Sequence, residues 1–125
     1  MRALFKYDIL WLHRKLIDDT GGSHGLRDEN LLDSALNAPF SSFGGIDLFS
    51  TLLERVARLG FGLVSNHPFI DGNKRIGLMI MQVTLHWNGI TLNCTNDELV
   101  QLGLGIASGK LGYKEILGWL VSHSK

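Results

Sequence analysis

Apolar residues recur along this chain at intervals of three and four, and that spacing predicts helices almost everywhere. Ile9, Leu12 and Leu16 mark one face of a first helix, which Gly21 and Gly22 stop. Asp28 is placed to cap a second, short helix carrying Leu31, Leu32, Ala35 and Leu36, and Pro39 ends it, because the residue before a proline avoids the helical region. A third helix is expected over residues 48–65, with Leu48, Leu52, Val56, Leu59 and Leu63 as its buried stripe and Glu54 and Arg58 as an outward i,i+4 pair. A fourth, over residues 74–88, is apolar on all sides: Ile76, Met79, Ile80, Val83 and Trp87 share one face, Leu78, Met81 and Leu85 another. A helix without a polar face has to be wrapped by others, so it is expected at the centre of the domain.

Asn88-Gly89 ends the fourth helix, and Ile90, Thr91 and Leu92 suggest a brief extended piece. Thr95 with Glu98 makes a capping box for a fifth helix carrying Leu99, Leu102 and Ile106. A sixth begins near Tyr113 with Ile116, Leu117, Leu120 and Val121. The interval 37–47 differs: Pro39, Ser41, Ser42, Gly44 and Gly45 surround Phe40, Phe43 and Ile46. It reads as a loop or small hairpin, either a surface loop pinned by its phenylalanines or a flap that receives an extended segment of another protein by strand addition. The expected architecture is a single all-α domain over residues 1–125, a bundle of about six helices around a buried central helix with a small flap.

Composition narrows the function. The chain has 125 residues, 45% hydrophobic and 19% charged, which is the make-up of one globular domain. Twelve basic residues balance twelve acidic ones, so the electrostatic footprint of a nucleic-acid binder is missing. Cys94 is the only cysteine, which excludes an intramolecular disulfide and reads as a structural thiol. The first residues lack the apolar core of a signal peptide, and the apolar run from Ile76 to Leu85 is too short to span a bilayer. A cytoplasmic protein with neither membrane nor direct nucleic-acid contacts is expected.

The chemistry concentrates in His67-Pro68-Phe69-Ile70-Asp71-Gly72-Asn73-Lys74-Arg75. Pro68 and Gly72 argue against regular helix there, and so against His67 and Asp71 as helix-borne metal ligands. Gly72 and Asn73 tolerate positive φ, so their N–H groups can form an anion-binding nest beside the helix N-terminus that follows. Arg75 can grip phosphate oxygens with two hydrogen bonds and Lys74 adds a compact charge. The helix dipole disfavours cations there by roughly 0.3–1 kcal/mol each, which suggests an anion between them. Asp71 offers a hard oxygen for Mg²⁺, and His67 can take a proton from a hydroxyl. These are the parts for moving a phosphate-containing group. A Walker A loop, an EF-hand and a zinc ribbon fail: Lys74 stands between Asn73 and Arg75, EF-hand counting from Asp71 reaches Ile76 and Gln82, and a second cysteine is missing.

The loop resembles the Fic/Doc family signature H-x-F-x-[DE]-[GA]-N-[GK]-R, matched by His67, Phe69, Asp71, Gly72, Asn73, Lys74 and Arg75. The length and helix order resemble the short, single-domain Doc branch over essentially the whole chain. AMP-transferring members read G-N-G-R-x-x-R; this chain has Lys74 and Leu78 where the second glycine and second arginine would stand. Doc members share the lysine, and the resemblance implies ATP bound in reversed orientation. Its γ-phosphate would pass to a threonine hydroxyl of translation elongation factor Tu, which blocks translation. Gly72 departs from Doc, which has alanine there, so AMP transfer stays open as an alternative, as does a non-catalytic binding module. By the same resemblance His67 is the general base and Asp71 the Mg²⁺ contact. Gly72, Asn73, Lys74 and Arg75 bind phosphate, Phe69 anchors the loop, and the flap of Phe40, Phe43 and Ile46 docks the target. The self-inhibitory pattern [ST]-x-x-x-E-[GN] has its nearest match at Ser50 to Glu54 but breaks at Arg55, so restraint by a separate antitoxin segment is implied. His13, His24, His86 and His123 match no motif and read as structural or solvated.

Overall fold

Five of the six helices begin where a side chain accepts an N–H of the N-terminal turn. The computed structural model describes residues 1–125. α1 (Lys6–Thr20) starts with the Asp8 carboxylate accepting the Phe5 N–H and ends at Gly21 with φ 90°. α2 (Glu29–Asn37) is capped by Asp28, whose Oδ1 accepts from the Leu31 N–H at 3.1 Å, and passes into a 3₁₀ turn (Ala38–Phe40) at Pro39. α5 (Asn96–Ala107) has the expected Thr95–Glu98 capping box. α6 is Tyr113–His123. The flap is a hairpin of β1 (Ser42–Phe43) and β2 (Ile46–Asp47), turned by Gly44 and Gly45 at φ 58° and 80°. Positive φ at both turn positions suits the strand twist and favours glycine. Its Phe43 and Ile46 are 81% and 72% exposed. No helix is long and apolar enough to cross a membrane.

α3 (Leu52–Ser65) corrects two expectations. It starts four residues later than the apolar pattern suggested, because Thr51 is its N-cap and Glu54 closes a capping box on the Thr51 N–H. Leu48 therefore belongs to the preceding loop and is exposed. The Glu54–Arg58 pair does not form, since Glu54 is engaged at the cap while the Arg58 guanidinium lies over the Phe61 ring. Burial lowers the pKa of that guanidinium, and its Nη1 is buried without a partner. Arg55 instead ties the flap down: its Nε donates to the Phe49 carbonyl at 2.8 Å, its Nη2 meets Asp47 Oδ2 at 3.2 Å, and its guanidinium covers the Phe40 ring.

α4 (Asn73–Trp87) shares the centre with α3. Ile76, Ile80, Met81 and Leu85 are fully buried, but Gln82 and His86 face solvent, so the α3–α4 pair is the wall on which everything else packs. On one side Leu59, Leu63, Ile76 and Ile80 meet Ile9 and Leu16 of α1 and Leu32 of α2. On the other, Val56, Val64, Met81 and Leu85 meet Leu102, Ile106, Ile116 and Leu120 of α5 and α6. Two glycines let the pair approach. A Cβ on Gly60 would collide with the Met81 side chain, and one on Gly77 would lie 2.5 Å from Val64 Cγ2.

Residues 90–92 form no strand; the chain there is irregular and tied to α6 by the Asn93 N–H on the His123 carbonyl. Val121 is exposed rather than part of the α6 stripe. Cys94 is half-buried and burial pushes its thiol pKa up, which suits a structural cysteine. At the α5–α6 junction His123 stacks on Trp119, with Nδ1 2.7 Å from the Trp119 carbonyl and Nε2 3.0 Å from Glu98 Oε2. Two acceptors facing two ring nitrogens call for the imidazolium, and these bonds raise the His123 pKa.

Two outcomes are expected. Gly77→Ala forces a methyl onto the stiff, buried Val64, and overpacking outweighs the helix propensity gained, so chemical denaturation should show a loss of about 1–2 kcal/mol. His123→Ala should lower Tm most below the ordinary histidine pKa of about 6.5, where the raised folded value contributes fully. The difference from the parent should fade as pH rises through the folded pKa. A difference independent of pH between about 5 and 9 would refute the ion pair.

Candidate functional site

The segment 66–72 has seven residues in which to turn from α3 into α4, and most polar groups of its backbone find partners within the chain. His67 adopts φ 50°, a left-handed conformation that histidine tolerates better than bulkier residues. Arg27 donates from Nε to the His67 carbonyl at 2.6 Å and from Nη2 to the Asn66 carbonyl at 2.9 Å. The Pro68 carbonyl accepts the N–H groups of Arg27 and Asp28, and the Ile70 N–H reaches the Gly25 carbonyl. Residues 25–28 thus line the loop in a strand-like pairing, with Leu26 opposite Phe69.

Phe69 is 1% exposed, in line with its expected role as loop anchor, and its backbone is closed by Asn73. Asn73 Oδ1 accepts the Phe69 N–H at 2.9 Å while its Nδ2 donates to the Phe69 carbonyl at 3.0 Å. The same Nδ2 lies 3.4 Å from His67 Nδ1, at the outer edge of hydrogen bonding, so the contact leaves the ring's tautomer open. The Asn73 side chain therefore faces inward as a clasp. What it can offer an anion is its backbone N–H.

Gly72 is the N-cap of α4 with φ 78°, and no side chain caps the helix. The N–H groups of Asn73, Lys74 and Arg75 have no acceptor within the chain, the arrangement that makes a helix start attractive to anions. Beside them Asp71 accepts the Gly72 N–H on Oδ1 at 2.8 Å and the Ser23 N–H on Oδ2 at 3.1 Å. Those two bonds, Ser23 first and then Gly72, with Arg75 adding to them, hold the carboxyl below the usual carboxylate range. Asp71 is thus an ionised, half-exposed oxygen donor. No three His, Cys, Asp or Glu side chains cluster anywhere in the chain, so a cation at Asp71 would take its other ligands from phosphate and water, as Mg²⁺ commonly does.

Both cations of the loop are committed in part. Arg75 Nη1 donates to Thr20 Oγ1 at 2.6 Å and to the Gly21 carbonyl at 2.8 Å, while Nη2 is 3.6 Å from Asp71 Oδ1. The Lys74 stem runs against α5 at Gly103, where a Cβ would lie 3.1 Å from Lys74 Cγ. His67, Asp71, Gly72, Asn73, Lys74 and Arg75 nonetheless share one open pocket of about 360 Å³, with Ile70 at its edge. Phe40, Phe43 and Ile46 do not line it. A larger hollow of about 590 Å³ lies further along α4, lined by Leu4, Gln82, Val83, His86 and Trp87, and it lacks carboxylates and cations.

Two supporting residues escape the motif. Arg27 carries no local signal, being bound to the loop only through the fold. His13 stacks on Phe69 with ring centroids 3.8 Å apart and planes 9° apart, and its Nε2 lies 2.7 Å from the Asp71 carbonyl. Burial lowers its pKa, which keeps the ring neutral. Its signal was legible: His13 falls on the buried face of α1 with Ile9, Leu16 and Ile17, a polar ring inside an apolar stripe. The other histidines are peripheral, His24 pairing with Asp18 at the surface.

The model of a family described as the Fic/DOC family matches residues 4–85. A curated relative, Toxin Doc of Mycolicibacterium smegmatis, is 38% identical over 77 residues, which cover 62% of this chain and 59% of that protein. The match thus spans somewhat under two thirds of the relative's length.

Asn73→Ala removes both partners of the buried Phe69 peptide groups, so a loss of stability of about 2–4 kcal/mol is expected in urea denaturation. A loss under about 0.5 kcal/mol would show that the clasp is dispensable.

Proposed function

The chain belongs to the Fic/DOC family, and we propose that it is an enzyme that transfers the γ-phosphate of ATP to a Ser or Thr hydroxyl of a protein. The observation that carries this reading is one open pocket lined by His67, by an ionised Asp71 and by residues 73–75, whose N–H groups are unpaired at the start of α4. His67 takes the proton of the acceptor hydroxyl. The acceptor oxygen forms a bond to the γ-phosphorus as the bond to the bridging oxygen breaks, and ADP leaves with the electron pair. Charge on the phosphoryl oxygens is met by the N–H groups of residues 73–75 and by Lys74 and Arg75. Mg²⁺ held at Asp71 would neutralise the polyphosphate and fix its orientation.

The name of the relative, Toxin Doc, supports a role as the toxin of a toxin–antitoxin pair. Elongation factor Tu is the proposed acceptor, in the cytoplasm, with blocked translation as the result. A segment of the cognate antitoxin is the proposed restraint. The exposed Phe43 and Ile46 support the flap as a docking edge for the target, with Arg55 holding it in place.

AMP transfer is the second reading, and two observations favour it. Gly72 is the residue that AMP-transferring relatives carry, and the Lys74 stem lies back along Gly103.

ATP labelled at either the γ- or the α-phosphate, incubated with the purified chain, Mg²⁺ and elongation factor Tu, separates the two. Label on the protein from the γ-position alone is expected, and His67→Ala should slow transfer by about 10²–10⁴-fold. Label from the α-position alone would establish AMP transfer instead.

A further inference from the structure

We propose that His13, a residue of α1 outside the signature, is a positioning residue that aims the phosphate-handling loop. The inference rests on the reading of the pocket given above. It concerns the peptide unit between Asp71 and Gly72. In a planar trans peptide the C=O and N–H point in opposite directions. His13 Nε2 holds the carbonyl end at 2.7 Å, and the N–H end lies 2.8 Å from Asp71 Oδ1. Fixing one end therefore fixes the other, and with it the rotamer of the carboxylate.

Two further observations give the ring this task. A carbonyl oxygen accepts, so Nε2 must carry the proton and the imidazole is a donor of fixed tautomer. The ring is 3% exposed and lies flat on Phe69, the residue that Asn73 clasps. One side of the loop is thus held by Asn73 and the other by His13. Gly72, the next residue, is the α4 N-cap, and a Cβ there would stand 3.5 Å from His13 Nε2 and 3.1 Å from Ile17 Cδ1. α1 therefore forms a backstop against which the loop is set. Without the donor, the Asp71–Gly72 peptide is free to rotate, and Asp71 and the first N–H groups of α4 lose their common aim.

The test uses the full chain with Mg²⁺, ATP and elongation factor Tu. His13→Phe keeps a flat ring on Phe69 but removes the donor; His13→Gln keeps a donor without the ring. His13→Phe is expected to lower kcat by about 10- to 100-fold, the range seen when an outer partner of a metal-site ligand is lost. It should also raise the Mg²⁺ concentration needed for half-maximal transfer. His13→Gln should recover most of both effects. A merely structural histidine would change the amount of active protein and leave the Mg²⁺ dependence alone. An unchanged Mg²⁺ midpoint in His13→Phe, or a His13→Gln no better than His13→Phe, overturns the inference. Should His13→Phe not fold, nitrogen NMR of the wild-type imidazole decides: a neutral ring with a slowly exchanging Nε2 proton is expected, and the Nδ1–H tautomer overturns the proposal. His67→Ala is run in parallel. If it transfers label as fast as the parent, the reading of the pocket fails, an outcome distinct from failure of the His13 inference alone.

Discussion

A buried peptide group has to find partners, and at Phe69 in the loop between α3 and α4 the Asn73 side chain meets that constraint. Phe69 has to be buried to complete the core half built from α1 and α2, so its N–H and C=O leave water with it. An unpaired buried peptide group costs about 1–3 kcal/mol. Asn73 meets both groups with a single side chain from the first turn of the next helix. The position of α4 is thereby coupled to the position of Phe69. Arg27, the backbone of residues 25–28 and His13 then occupy further groups from three directions. The outcome is an irregular segment most of whose peptide groups are fixed before any ligand arrives. Preorganised donors of that kind are what stabilise a developing charge without further rearrangement.

That loop is useful only because its two helices cannot slide. α3 and α4 approach closely at Gly60 and Gly77, and side chains from both halves of the core press on the pair from either side. α5 also contributes to the pocket: Gly103 leaves room for the Lys74 stem and for Leu78, whose Cδ1 would lie 2.7 Å from a Cβ there. The direction of the Lys74 stem thus depends on a glycine 29 positions further along the chain.

The helices were legible because their signals are local. Asp28 at α2, Thr95 with Glu98 at α5 and the Gly44-Gly45 turn of the flap were found where side-chain chemistry placed them. The start of α3 was misplaced although its signal was equally local. Thr51 and Glu54 form a capping box of the same kind, but Leu48 continues the apolar period and Glu54 stands four residues from Arg58. Two weak patterns outweighed one specific cap. The site divides in the same way. Its nine-residue core was legible as one candidate site, and six of those residues with Ile70 line a single pocket. The inward turn of the Asn73 side chain was not, since it depends on how deep Phe69 sits. Arg27 was beyond reach for a similar reason, because its contacts lie 39 and 40 positions away in sequence.

The two cations at the α4 N-terminus are not equivalent. Arg75 leaves α4 and reaches the C-terminal end of α1, where Thr20 Oγ1 and the Gly21 carbonyl accept its Nη1 and Asp71 lies beside its Nη2. The carbonyl end of α1 is the negative pole of its own dipole, so it offsets much of the repulsion that the α4 pole exerts on Arg75. Arg75 is therefore a strut joining opposite poles of two helices, and its presence alone would not imply a ligand. Lys74 has no such relief: its stem is guided by Gly103, and no carboxylate of the chain is within ion-pair distance of its ammonium. The case for an anionic substrate thus rests on Lys74 and on the three N–H groups around it. An anion drawn there would sit against a backbone already aimed at it, with Arg75 close enough to turn from α1 toward phosphate once that phosphate competes with the Gly21 carbonyl for the same donor.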